Sequence, residues 1–286
     1  MRFFRVTGRR GEGEPRAVEV LGVRFDNLTR AEAAERIAEM ALKGPKGYVV
    51  KPYSEFMARA ARDGRFREAL NGAALCLPDG VGIVWAAHYL SLRGGRLRAL
   101  LQFPLSHLSM VLRPAVVRSP VREPMHGVDL TWEMLAALER AGASVYLLGG
   151  TAEEVEGTRR EIVRRLPGLR VVGWRDGYFR TKGEENERVV RVINGAKPDA
   201  LLVAMGSPRQ ERWIAENLGR LEVNVAVAEG GSFSFISGTT RRAPGWMRRS
   251  GLEWLFRLAG QPQRAARQVA LPLFVWLVFR ERWRRG

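Results

Sequence analysis

Asp79, in the turn Pro78-Asp79-Gly80, and the adjacent pair Gln210-Glu211 are the side chains best placed by type and spacing to do chemistry. A carboxylate at a strand-to-helix turn can take a proton from a hydroxyl as a general base. An aspartate just before a helix also serves as an N-cap, so both readings of Asp79 stand. Gln210 and Glu211 follow Gly206-Ser207-Pro208-Arg209 and fall in the first turn of the next helix. An amide and a carboxylate there can hydrogen-bond a nucleoside or a sugar; the plain alternative is that Glu211 complements the helix dipole. Gly149-Gly150-Thr151, Gly206-Ser207-Pro208 and Gly230-Gly231-Ser232 are turns of the same kind. Each would let a phosphate approach a helix N-terminus, or simply be a tight turn. None is a dinucleotide fingerprint or a Walker loop, so neither dinucleotide nor ATP binding follows.

Metal chemistry finds little support. No D-x-D occurs, which removes the usual aspartate arrangement for a divalent cation on a nucleotide-sugar diphosphate. His88, His107 and His126 are isolated and Cys76 is the sole cysteine, which argues against a His/Cys metal site and excludes an internal disulfide. No cofactor is expected. Arginines and helix N-termini would then carry the charge of a bound diphosphate. Arginine and aromatic residues interleave after Arg241, through Trp246, Trp254 and Arg257 to Arg264 and Arg267, the last two sharing a helical face. Solvated surface arginines are the alternative.

These residues must be positioned by alternating strands and helices. Strands are expected at 17–23, 47–50, 74–77, 144–148, from 171, at 200–205 and at 223–228. Helices are expected at 54–70, from 81 through 89, and at 130–141, 184–194 and 208–217. Thr29 with Glu32, and Thr151 with Glu154, form two capping boxes opening further helices. Ala31, Ile37, Met40 and Leu42 would supply the apolar face of the first. Strand, glycine turn and helix repeated in this way predict an α/β fold, a Rossmann-like parallel sheet with helices on both faces. Ligands of such sheets bind at the carboxyl ends of the strands, where all these turns lie.

The 286 residues carry a net charge of +17, very unevenly distributed. Residues 91–122 hold +6 and residues 241–286 hold +9, leaving the rest nearly neutral. The division reads as a tail at 1–16, a core at 17–240 with a basic, apolar insertion at 91–122, and a basic amphipathic appendage at 241–286. No secretory signal is expected. The longest apolar run, 269–279, is eleven residues and contains Pro272, too short to span a bilayer but suited to its interface. Trp276 and Phe279 would anchor it, with arginines on lipid phosphates; Leu100-Leu101-Gln102-Phe103 and Met110-Val111-Leu112 suggest a second contact. Nucleic acid is disfavoured as a partner, because the basic segments are apolar and no nucleic-acid motif occurs.

In their order, these segments resemble the WecG/TagA/CpsF family of bacterial glycosyltransferases. The resemblance rests on Leu77-Pro78-Asp79-Gly80, Gly206-x-Pro208-x-Gln210-Glu211, Arg242-Ala243-Pro244 and Gly251-Leu252-Glu253-Trp254-Leu255-x-Arg257-Leu258. It covers residues 18–267. It implies an inverting, metal-independent enzyme, peripheral to the cytoplasmic face of the bacterial cell membrane. Such an enzyme would move N-acetylmannosamine or its uronic acid from a UDP-sugar to a polyprenyl-diphosphate-linked acceptor, for cell-surface polysaccharide or teichoic acid. Asp79 takes the base position, Gln210 and Glu211 the nucleotide-sugar position, and Arg257, Arg264 and Arg267 close over the diphosphate. The chain departs from the family pattern at Lys51-Pro52-Tyr53, where Thr-x-Asn is usual, at Pro124, where an arginine is missing, and at Ser234, which replaces an aspartate. Lys51 is a candidate to restore the charge missing at Pro124. The competing expectation is a catalytically divergent member that binds a lipid-linked sugar or a partner enzyme; a homo-oligomer is compatible with either.

Overall fold

In the computed structural model, residues 17–112, 119–242 and 270–285 are described, together with 244, 247 and 256. Short apolar runs bounded by glycine and proline form the central sheet. Its strands are β3 (Gly47–Val50), β4 (Leu75–Cys76), β5 (Ser144–Gly149), β6 (Arg170–Arg175), β7 (Ala200–Ala204) and β8 (Val225–Ala228), in the order β4-β3-β8-β7-β5-β6. Every pairing is parallel. All strands but β6 are buried along their whole length, as a sheet covered on both faces requires; β6, at the edge, alternates exposed and half-buried residues.

One face packs on α1 (Arg30–Lys43), α6 (Gly127–Arg140) and α7 (Ala152–Arg165). The other packs on α2 (Ser54–Ala60), α3 (Gly64–Asn71), α4 (Val81–Ser91), α8 (Glu184–Ala196) and α9 (Arg209–Asn217). Helix α5 (Arg96–Leu112) follows α4, α10 (Ser232–Ile236) follows β8, and α11 (Ala270–Arg285) packs on α2, α4 and α5. From β5 the chain steps outward to β6, whereas from β7 it steps inward to β8. Consecutive connections therefore leave β5 and β7 in opposite directions, opening a crevice at their carboxyl ends.

Several sequence expectations change in the folded chain. The single strand at 17–23 is a hairpin, β1 (Ala17–Val20) and β2 (Val23–Asp26), turning at Leu21 and Gly22 with φ of 51° and 75°. The helix at 54–70 is broken in two, because the Asp63 carboxylate accepts from Phe66 N and caps a new start. Both capping boxes form. The buried face of α1, however, is Ala33, Ala34, Ile37, Ala38, Met40 and Ala41, with Ala31 and Leu42 exposed. The C-terminal helix runs six residues beyond its apolar stretch, to Arg285.

Candidate active site at the strand ends

Asp79 is fixed by pairing that continues past the ends of β3 and β4. Its N–H donates to Pro52 O at 3.1 Å, and the next N–H, of Gly80, donates to Met125 O at 3.1 Å. Met125 N in turn donates to Pro78 O at 2.9 Å. The backbone of Asp79 is thus held from both sides. Gly80, with φ of 79°, occupies the N-cap position of α4, so Asp79 stands one residue ahead of the cap. Its half-buried carboxylate lies against Gly127, where a Cβ would sit 3.5 Å from Oδ2. Gly127 is the first residue of α6, whose N-terminal dipole favours a negative charge.

Behind this turn lies a buried polar floor. Lys51, just past β3, places Nζ 2.9 Å from Glu229 Oε1, just past β8, and both side chains are almost fully enclosed. The other oxygen of Glu229 is 2.5 Å from Thr131 Oγ1, which is also 2.8 Å from Gly127 O. The floor so runs from Lys51 to the helix end beside Asp79. The charge of Lys51 is spent on Glu229. Arg122, the nearest arginine to the missing position at Pro124, donates to both oxygens of Glu32.

The same edge carries the other turns. Gln210 accepts from Gly230 N at 3.0 Å and donates to Glu211 Oε1 at 2.8 Å, bracing the β7 turn against the β8 turn. Both side chains are buried, and burial raises the Glu211 carboxyl above its ordinary value despite hydrogen bonds from Gln210 and Ser207. Gly206 and a cis-linked Pro208 precede α9, with Pro208 at its N-cap position. Gly149 approaches β7 so closely that a Cβ would fall 2.3 Å from Ala204 O. Gly150 N donates to the same carbonyl at 2.8 Å. Gly231 caps α10. Ser234 faces inward on its own turn, its hydroxyl bonding Gly231 O at 2.8 Å.

Arg257, Arg264 and Arg267 lie outside the described residues. The root of their segment does not: Arg242 Nη1 is 2.8 Å from Asp129 Oδ1, in the first turn of α6 beside Gly127. Its far end returns through α11, where buried Phe274 meets Trp85 of α4 at 6.3 Å between ring centres. His88 and His107 bond backbone carbonyls, and His107 packs on Trp85 and Phe103. Among the described residues, no three His, Cys, Asp or Glu side chains gather as a metal site would require. Sequence reading passed over Glu229 and Thr131. The only local signal was an acid ending an apolar strand, at Val225-Ala226-Val227-Ala228-Glu229.

The chain is 29% identical over 263 residues to N-acetylglucosaminyldiphosphoundecaprenol N-acetyl-beta-D-mannosaminyltransferase of Staphylococcus aureus strain MW2, covering 91% of each chain. The proteins of that name from strains NCTC 8325 / PS 47 and MRSA252 match at the same identity and coverage. The family model described as Glycosyl transferase WecG/TagA/CpsF matches residues 18–102 and 107–286, and the chain belongs to that family.

Proposed function

We propose that the protein transfers an N-acetylhexosamine-type sugar, N-acetylmannosamine or its uronic acid, from a UDP-sugar to a polyprenyl-diphosphate-linked acceptor, with inversion and without a metal. The observation that carries this reading is Asp79, pinned from both sides at the carboxyl edge of the sheet with its carboxylate at the start of α6. The names of the relatives supply the acceptor class, a diphosphoundecaprenol-linked sugar, and the transferred sugar. In the reaction, the acceptor hydroxyl oxygen bonds to the anomeric carbon as the bond from that carbon to the UDP oxygen breaks. The hydroxyl proton passes to Asp79. The departing diphosphate is neutralised by Arg257, Arg264 and Arg267 and by the helix N-termini at the Gly149-Gly150, Gly206 and Gly230-Gly231 turns. Among the described residues no helix is long and apolar enough to cross a membrane, and we place the enzyme as a peripheral protein at the cytoplasmic face, where its acceptor would reside.

The test is transfer by Asp79→Asn. A positioned general base contributes about 10²–10⁴ in rate, so a loss of that size is expected with UDP-N-acetylmannosamine and a lipid-linked acceptor. Near-normal transfer would remove Asp79 from the base role. A thermal-shift screen across UDP-sugars identifies the donor, since a ligand of the folded state raises its melting temperature. A chain that binds lipid-linked sugar but no UDP-sugar would instead be a divergent binding member.

A further inference from the structure

Helix α5 turns a row of leucines to the outside. Leu97, Leu101, Leu105 and Leu108 are 71%, 60%, 60% and 54% exposed. At 3.6 residues per turn these positions fall within about 80° of one another. The opposite face is the docked one: Ala99 and Ser106 are buried, Ser106 accepts from Trp85 Nε1, and Phe103 packs against Tyr89 and Phe279. Phe103, expected from sequence to reach outward, therefore belongs to the interior, while the leucines around it do not.

The row continues onto α11. Leu100 lines an apolar slot of about 220 Å³ with Trp276, Phe279, Arg280 and Trp283. Trp276 is half exposed, and the Arg280 guanidinium lies 5.1 Å from its ring centre. Along α11 the buried positions are Phe274, Val278 and Arg282, while Trp276, Arg280 and Arg284 face out. Arg93, Arg96 and Arg98 are exposed at the start of α5, a helix without a single acid. Leucines in the middle, a tryptophan beside them and arginines at the rim make the composition of an interfacial membrane surface.

We infer that α5 and α11 form one lipid-seating surface, in which the α5 leucines enter the acyl boundary of an anionic membrane and the arginines meet its phosphates. A second copy of the chain fits less well, because a twofold contact through this patch would set arginine rows against each other. The inference rests on the proposed reaction only in that a lipid-linked acceptor gives the enzyme a reason to sit on lipid.

The experiment compares the full chain with Leu97→Gln/Leu101→Gln/Leu105→Gln/Leu108→Gln on vesicles of phosphatidylglycerol and phosphatidylethanolamine without acceptor. All four positions are at the surface, so melting temperature should be unchanged. The wild type should still bind at about 0.5 M salt, where exposed charges are screened. The variant should bind about tenfold or more weakly, from the apolar area it withholds. As a second reading, Leu101→Cys carries a polarity-sensitive dye, which should shift to the blue on vesicles; buried Cys76 stays unlabelled. Equal sedimentation of both proteins, no vesicle binding by the wild type, or loss in the variant of self-association alone would each overturn the surface. Transfer to a water-soluble acceptor is measured in parallel. If it is absent in the wild type while the leucines still govern vesicle binding, the reaction is misassigned and the surface stands.

Discussion

Lys51 and Glu229 come from strands that are neighbours in the sheet and distant in the chain, and their pairing makes the floor of the crevice rigid. Two charges removed from water gain little over a hydrophobic pair of the same shape, but breaking one side leaves the other unmatched. Glu229→Gln should therefore cost about 3–5 kcal/mol in urea denaturation, whereas Lys51→Met with Glu229→Leu should recover much of that loss. Glu211 gives a pH signature. Its folded carboxyl titrates above the ordinary 4.5, so the folded state holds the proton more tightly than the unfolded chain. Stability contributed by the protonated form is complete below about 4.5 and declines as pH rises toward the raised value. Glu211→Gln should flatten that decline in melting temperature between acid and neutral pH. Asp79, Gln210 and Glu211 were legible in the sequence because each follows an apolar strand at a glycine- or proline-marked turn. The partnership of Lys51, Glu229 and Thr131 was not, since nothing local tells a lysine which distant acid it will meet.

Among the elements, apolar runs and capping boxes announced β3, β5, β7, β8, α1 and α7, because burial on both faces and a Thr-x-x-Glu cap leave direct traces. The hairpin at β1–β2 and the break at Asp63 depend on one or two backbone angles and one cap, which a window of hydrophobicity averages away. The extent of α11 was hidden for another reason. Arg282 buries its stem and donates to Gly94 O at 2.9 Å, so a charged residue continues the docked face. Phe274 is the main apolar weld of α11 to α4, and Phe274→Ala should lower stability by about 3–5 kcal/mol in the same denaturation measurement. The β4 thiol, Cys76, is enclosed, with burial and the nearby Asp26 carboxylate pushing its titration up. It should resist thiol reagents in the native protein and react on unfolding, as a timed labelling assay would show.

At the scale of the molecule, the basic segments sort into structure that composition could not reveal. Residues 91–112 and 270–285 contribute α5 and α11, which pack on each other and jointly on α4, the helix that starts just after Asp79. A chain ending at Arg242 would uncover Trp85 and Phe103. It should associate in light scattering unless detergent is supplied, because uncovered aromatic surface of that kind seeks a partner.

The pairing around the Asp79 turn has an electrostatic corollary. Lys51 faces Glu229, Arg122 faces Glu32, Arg30 faces Glu123, Asp129 and Glu133, and Arg242 faces Asp129. These four cations face five carboxylates, so the set holds no surplus positive charge. In the proposed reaction a diphosphate brings further negative charge to this set, and Arg257, Arg264 and Arg267, together with the helix N-termini, are the groups proposed to balance it. On that proposal, donor binding and the engagement of those three arginines are linked, and whatever favours one favours the other by the same factor.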